Sequence, residues 1–530
     1  MNINMNTIIK GIAALSLAAF AAGCTKNFED YNTNKHQATE EQMATDDNLF
    51  GAFFQQIERS VIIYRDGKYL DSDYQIMYNL AAETYCGYMA PTLGAVPSTG
   101  NFYDKDGWTR SMYVNKFTYG MNAWLLLDET AKEAGLSHIV ALGNVLKIAT
   151  MHQVTDYQGP MPYSQVGKTL TPDYDSQESI YRSFLAELDE AISTLEAFES
   201  ANPGAAIMPD FDIVYGGNVA KWIRFANSLR LRLAMRCVYA DEALAQAEAE
   251  KSLASAYGVI TDNADNAVVS GVEHHPLYEI NVNFNDADTQ MNADMDCYLN
   301  GYDDPRTFKI AKAASDGKFH GVRNGLTTTV WDVYKNKAGK VSAPNATIYN
   351  ITWINAAEVY FLRAEGALRG WSMGGTAKNL YEEGIRTSFS EWGATGADSY
   401  VANSTAKPAA FVDNSGQNNG TSAPSAITIA WNDNDSFETS LERLMTQKWI
   451  AMFPNGCEAW AEYRRTGYPK LLRVVSNMSN GVVDDDLQIR RVPFPISEYS
   501  TNPSGVAAGV AALGGLDNSG TKLWWDQKPR

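Results

Sequence analysis

Apolar residues recur at helical spacing along much of the chain. Trp222, Phe225, Leu229 and Leu233 fall three, four and four positions apart, with Arg224, Arg230, Arg232 and Arg236 on the remaining faces. Such a stripe predicts an amphipathic helix. Ile354, Ala357, Phe361, Ala364 and Leu368 form a second stripe, and Gly370 stops it. Ala377, Tyr381, Ile385 and Phe389 form a third, so the two helices make a hairpin turned through Gly370, Gly374 and Gly375. The same pairing is expected for 115–134 with 138–155 and for 177–198 with 217–239. Hairpins of this size predict a tetratricopeptide-like stack, although no strict 34-residue register is present. The fold class is therefore mainly α: helical hairpins supporting an irregular, loop-rich region with few short strands. Three stretches escape helical periodicity, 86–112, 259–350 and 394–436. Loops this long are usually functional or disordered, and the first two carry the aromatic and Asn residues that favour function.

The start of the chain has a different pattern. Ile12–Ala22 is apolar apart from Ser16. As a helix it spans roughly 16 Å, about half of a ~30 Å bilayer core, so it fits the apolar segment of a secretory signal and not a membrane span. It ends in Ala21-Ala22-Gly23-Cys24, which resembles a bacterial lipoprotein box, with Ala21 where Leu is commoner. The Cys24 thiol would take the diacylglyceryl group and become the new N-terminus; the plainer alternative is a secretory signal with an incidental cysteine. The expected layout is a signal peptide over 1–23, a lipidated leash over 24–45 and a body over 46–530. Cys86, Cys237, Cys297 and Cys457 form no CxxC pair. Buried free thiols are expected, with two bridges in any of three pairings left open.

Composition narrows the function. With 43 Lys and Arg against 62 Asp and Glu, the net charge of −19 opposes binding to a phosphate backbone. Tyr (28) and Trp (12) together outnumber Phe (20) two to one, a bias toward rings with a polar handle that suits half-wet binding surfaces. Chemistry-bearing motifs are missing: there is no HExxH, Walker A or GxGxxG pattern. Gly370-Trp371-Ser372-Met373-Gly374 has the spacing of a nucleophile elbow, but a helix precedes it where a strand is needed. Asp286, Asp288 and Asn292 open like a calcium loop that then has Met291 and Cys297 where Gly and Glu belong. No catalytic residue, cofactor or metal site is expected, although paired carboxylates for glycoside cleavage stay open among the many acids.

Several stretches in order along the chain carry a resemblance. They are Phe28-Glu29-Asp30-Tyr31-Asn32-Thr33-Asn34, followed by Lys35 where Pro is usual, and Thr155-Asp156-Tyr157-Gln158-Gly159-Pro160. Lys221-Trp222, Leu229-Arg230-Leu231-Arg232, Asp304-Pro305-Arg306 and the helix block Ala357–Glu365 come next. Gln447-Lys448-Trp449, Tyr463-Arg464-Arg465-Thr466-Gly467-Tyr468-Pro469 and Trp524-Trp525-Asp526 complete the series. Together they resemble the SusD/RagB family of Bacteroidetes surface nutrient-binding lipoproteins. Most of these residues read as scaffold: Arg464 and Arg465 would hold the C-terminal region, and Glu358 with Glu365 would tie neighbouring helices.

The resemblance implies four tetratricopeptide-like hairpins and a looser ligand-binding half. It also implies an outer-membrane location, lipid-anchored and facing the cell exterior, with a SusC-like TonB-dependent transporter as partner and an oligosaccharide, or sometimes a peptide, as ligand, without catalysis. The competing classes are a secreted helical glycoside hydrolase and a structural envelope lipoprotein. The site is expected where loops 86–112 and 270–335 converge, with Tyr88, Tyr103, Trp108 and Trp331 as ring platforms for sugar C–H faces. Asn283, Asn285 and Asp332 would serve as hydroxyl partners.

Overall fold

The computed structural model describes residues 48–64, 72–92, 96–272, 274–283, 288–327, 334, 339–345 and 350–529. The chain divides into units 1–52 and 53–530; of the first, only 48–52, the opening of the helix Asn48–Val61, is described. The signal, Cys24 and the leash expected over 24–45 lie outside the described residues.

The scaffold helices of the second unit are α1 (Asn122–Glu133), α2 (Ser137–Gln158), α3 (Gln177–Ala201), α4 (Val219–Arg236), α5 (Glu242–Ala254), α6 (Ala356–Leu368), α7 (Ala377–Glu391), α8 (Phe437–Ala451) and α9 (Gly456–Thr466). Short polar side chains start α3 to α9, whereas α1 and α2 follow Met121 and Leu136 without a side-chain cap. Asn218 accepts from the Lys221 N–H at 3.0 Å, Asn355 from the Glu358 N–H at 2.8 Å and Thr376 from the Asn379 N–H at 3.2 Å. Each cap satisfies a donor that a helix start leaves without an internal acceptor. Gly370, at φ +88°, ends the run after α6 in the left-handed region that glycine enters without strain. Consecutive helices α1 to α5 pack side by side, α6 packs against α7, and α8 packs on α6, so the mainly α, hairpin-built fold read from the stripes is the fold observed.

Two local readings differ. The helix expected over 115–134 contains a wide π-type turn over Lys116–Met121, where Lys116 turns inward and donates to the Val61 carbonyl at 2.7 Å and Gln153 Oε1 at 2.8 Å. The stretch 259–350, expected as loop, holds a helix over Ala293–Tyr302 whose buried Asp294 and Asp296 break the apolar stripe that would have revealed it. Among the described residues no helix is long and apolar enough to cross a membrane. The four described cysteines are free and buried.

The strands are short: β1 (Met89–Pro91), β2 (Ala267–Val269), β3 (Thr289–Met291), β4 (Ala311–Lys312), β5 (Ala343–Pro344) and β6 (Ile351–Ile354). They pair antiparallel as β1 with β3, β2 with β6 and β4 with β5. The first pairing, Met89 opposite Met291, stitches the two long loops together.

A buried ionic network ties the hairpins to the C-terminal region. Arg232 on α4 clamps Glu358 on α6 at 2.8 and 2.7 Å. Arg465 on α9 holds Glu365 at 2.8 and 2.6 Å and Glu462 at 3.1 and 2.6 Å. Burial works against both carboxylates, yet Arg465 with Arg369 holds Glu365 below its usual pKa, and Arg465, Lys448 and Arg236 hold Glu462 well below. Arg464 instead donates to the carbonyls of Asp156 and Arg490 at 2.6 and 2.9 Å and lies 3.5 Å from the Trp460 ring centroid. Burial brings its pKa down to about 9. Breaking such a pair leaves an uncompensated buried charge and costs about 3–5 kcal/mol. Arg464, Arg465, Glu358 and Glu365 are thus scaffold, as expected.

Candidate functional site

The loop 96–110 is built from its own polar residues. Asn101 Oδ1 accepts from the Ser98 N–H and hydroxyl, both at 3.0 Å, which closes a short turn. Its Nδ2 donates to the carbonyls of Leu326 and Ser476 at 3.0 and 3.2 Å, and its own carbonyl accepts from the Met478 N–H at 2.8 Å. One buried asparagine therefore fixes three loops that are remote in sequence. Phe102 follows at φ +59° with its ring buried. That left-handed turn faces the next side chain outward, and Tyr103 is 41% exposed.

Tyr103 borders a cavity of about 230 Å³ whose other walls include Asp104, Arg110, Asn480, Asp517 and Asn518. Its charges are paired within the protein. Arg110 pairs with Asp104, and with Asp106 at 2.9 Å, and donates to the Phe494 carbonyl at 2.9 Å. Asp517 pairs with Arg491 and accepts from the Tyr499 hydroxyl at 2.7 Å. The neutral groups are not. The Tyr103 hydroxyl, the Asn480 amide and Asn518 Nδ2 have no partner among the described residues, and Asn518 Oδ1 accepts only from the Gly520 N–H at 3.0 Å and the Thr521 hydroxyl at 3.2 Å. An exposed ring beside unpaired amides suits a neutral ligand with apolar faces and hydroxyl edges.

The expected site residues separate clearly. Tyr103 and Trp108 lie on this loop and are accessible, though Lys105 Nζ sits 4.1 Å from the Trp108 ring centroid and covers that ring. Tyr88 is a correction. It is 0% exposed, packs on Trp449 and Phe453 with centroids 5.3 and 5.2 Å apart, and donates its hydroxyl to the Trp449 carbonyl at 2.5 Å. A ring enclosed on that scale is core and offers no platform. Asn283 ends the short helical turn Glu279–Asn283, and its side chain is outside the described residues, as are Asn285, Trp331 and Asp332. Loop 86–112 does meet loop 270–335, through β1 with β3, Thr92 N–H to the Asp288 carbonyl at 2.8 Å and Asn101 Nδ2 to the Leu326 carbonyl at 3.0 Å.

Sequence reasoning missed Asn480 and Asn518. Each sits in an ordinary turn signal, Ser479-Asn480-Gly481 and Asn518-Ser519-Gly520, and nothing local distinguishes it from any other surface turn. Among the described residues no group of three His, Cys, Asp or Glu is placed to hold a metal ion.

A family model described as SusD-like, SusD and RagB outer membrane lipoprotein, matches residues 30–526. Solved structures agree over nearly the whole length. A chitin-binding SusD homolog from Flavobacterium johnsoniae is similar at 37% identity and a TM-score of 0.85, covering 90% of this chain and 98% of its own. A SusD homolog from Bacteroides uniformis aligns at 37% identity and 0.84, covering 91% and 99%. One from Bacteroides thetaiotaomicron aligns at 35% and 0.81, also covering 91% and 99%. No curated protein matches the chain.

Proposed function

We propose that this chain, which belongs to the SusD-like family of outer membrane lipoproteins, captures an oligosaccharide at the cell surface and delivers it to a SusC-like TonB-dependent transporter. The observation that carries the reading is the cavity beside Tyr103, where an exposed ring meets unpaired amides while every nearby charge is already neutralised. A neutral sugar chain offers that surface C–H faces for the ring and hydroxyls for the amides. The similarity to a chitin-binding homolog at 37% identity supports a saccharide ligand. The protein acts by binding and not by catalysis, which fits a family of binding proteins.

In this reading Cys24 carries the lipid, residues 24–45 are the tether, and the body faces the cell exterior. Tyr103 is the platform ring on the described side; Trp108 lies on the same loop outside the cavity, under the Lys105 ammonium. Trp331, Asp332, Asn283 and Asn285 complete it on the strength of the sequence alone. Several acyl chains at about 0.8 kcal/mol per buried CH₂ make a lasting anchor. Weak contacts at an open site suit release into a transporter.

The test is calorimetry of the purified body against a panel of oligosaccharides, chitooligosaccharides included, with an assay for new reducing ends in parallel. Saturable binding without cleavage is expected. Cleavage, or binding of peptides in place of every glycan, overturns the assignment.

A further inference from the structure

A second cavity, of about 560 Å³, opens on the hairpin scaffold between the C-terminal end of α5 with the turn after it and the α6–α7 turn. It is built on different elements from the cavity beside Tyr103. Arg224, Glu250, Tyr257, Arg363, Ser372 and Gly374 line it. Two of its three charged groups are occupied. Arg224 sits 3.4 Å from Asp265 and donates to the Tyr257 carbonyl at 3.2 Å. Glu250 Oε1 accepts from the Ser372 N–H and from Gln246 Nε2, both at 3.0 Å.

Arg363 differs. Its Nε donates to the Met373 carbonyl at 3.0 Å, and its guanidinium lies 5.3 Å from the Tyr360 ring centroid. Among the described residues it has no carboxylate partner, and its Nη1 and Nη2 donate to nothing. The side chain is half-buried, and that burial lowers its pKa. A guanidinium is a planar fork of five donors, and here only one is used. The backbone leaves the fork open: a Cβ on Gly374, at φ +72°, would stand 2.9 Å from Arg363 Nη2.

We propose that this cavity is a second ligand site, in which Arg363 takes a carboxylate of the ligand through Nη1 and Nη2. A flat, singly charged carboxylate matches the fork in two parallel hydrogen bonds, with Tyr257 as a ring wall. A phosphate would bring a second negative charge toward Glu250, so the carboxylate is the better fit. That group could come from an acidic sugar or from the end of a peptide, and the chemistry at Arg363 is the same.

Saturation-transfer NMR on the full chain with glucuronate, acetyl-dialanine and neutral glucose separates these sources. Glucuronate, acetyl-dialanine or both bind, glucose does not, and binding weakens as salt rises. Arg363→Ala weakens it by roughly tenfold or more, the effect of losing a charge-assisted hydrogen-bond pair. Glu250→Gln tightens it by removing a repulsive neighbour, and Tyr103→Ala leaves it unchanged, so this result stands apart from that of the glycan site. Binding of only one acid identifies the source; binding of both identifies the carboxylate alone as the determinant. If neither acid binds better than glucose, or if Arg363→Ala melts and binds as the parent does, the proposal is wrong.

Discussion

Replacing Tyr103 and Tyr88 in parallel separates a platform ring from a core ring. Tyr103 is 41% exposed and its hydroxyl has no partner among the described residues, so Tyr103→Ala removes few internal contacts. Stability should change by about 0.5 kcal/mol or less, as for other surface substitutions. If the ring carries sugar stacking, the binding loss is that of a hot spot, about 1–3 kcal/mol, or roughly 5-fold to 150-fold in affinity. Tyr88→Phe inverts the pattern. It keeps the ring between Trp449 and Phe453 but deletes the bond to the Trp449 carbonyl. That leaves a buried acceptor without its donor, at about 1–3 kcal/mol of stability, and ligand affinity unchanged. Urea melts followed by circular dichroism measure the first quantity, and calorimetry with the best oligosaccharide of the panel measures the second. Equal affinity in the parent and Tyr103→Ala would refute the placement of the site. A loss of affinity in Tyr88→Phe at conserved stability would restore Tyr88 to it.

Three further outcomes follow from the same reasoning. Cys24→Ala should abolish fatty-acid labelling and move the protein from the membrane to the soluble fraction; membrane retention of that variant would remove the lipid anchor from the account. Mild-detergent pull-down of the native protein should recover a large β-barrel transporter, and a clean pull-down without one would leave the delivery role unsupported. Glu462 is held well below the usual carboxylate pKa by Arg465, Lys448 and Arg236 against the effect of burial. Its charge therefore stabilises the fold fully above the unfolded value of about 4.3, and that contribution is lost as pH falls through the lower folded value. Denaturation across pH should show Glu462→Gln weaker than the parent at neutral pH, with the gap narrowing in acid; a gap independent of pH contradicts the ionic role.

What could be read from sequence depended on whether the determining contacts were local. The hairpin of α6 and α7 was legible because apolar spacing, Asn and Thr caps and the glycine-rich turn are all encoded within a few residues of where they act. The scaffold role of Arg464, Arg465, Glu358 and Glu365 was legible only through resemblance. Arg465 reaches Glu365 across 100 positions and Arg232 reaches Glu358 across 126, which no periodicity reveals. Tyr88 and Tyr103 show the remaining limit. Both are tyrosines in one irregular stretch, and composition ranks them alike. They are separated by Phe102, whose left-handed backbone turns its own ring in and the next one out, and by Trp449, which lies 361 positions from Tyr88 and receives its hydroxyl. Asn101 makes the same point from the polar side. By holding Leu326, Ser476 and Met478 together it carries Asn480 to the cavity edge. The face beside Tyr103 is thus assembled from turns whose individual signals say only that the chain reverses there. If the cavity beside Tyr103 is the proposed saccharide site, its shape depends on long-range hydrogen bonding, so Asn101→Ala should lower oligosaccharide affinity in calorimetry as Tyr103→Ala does.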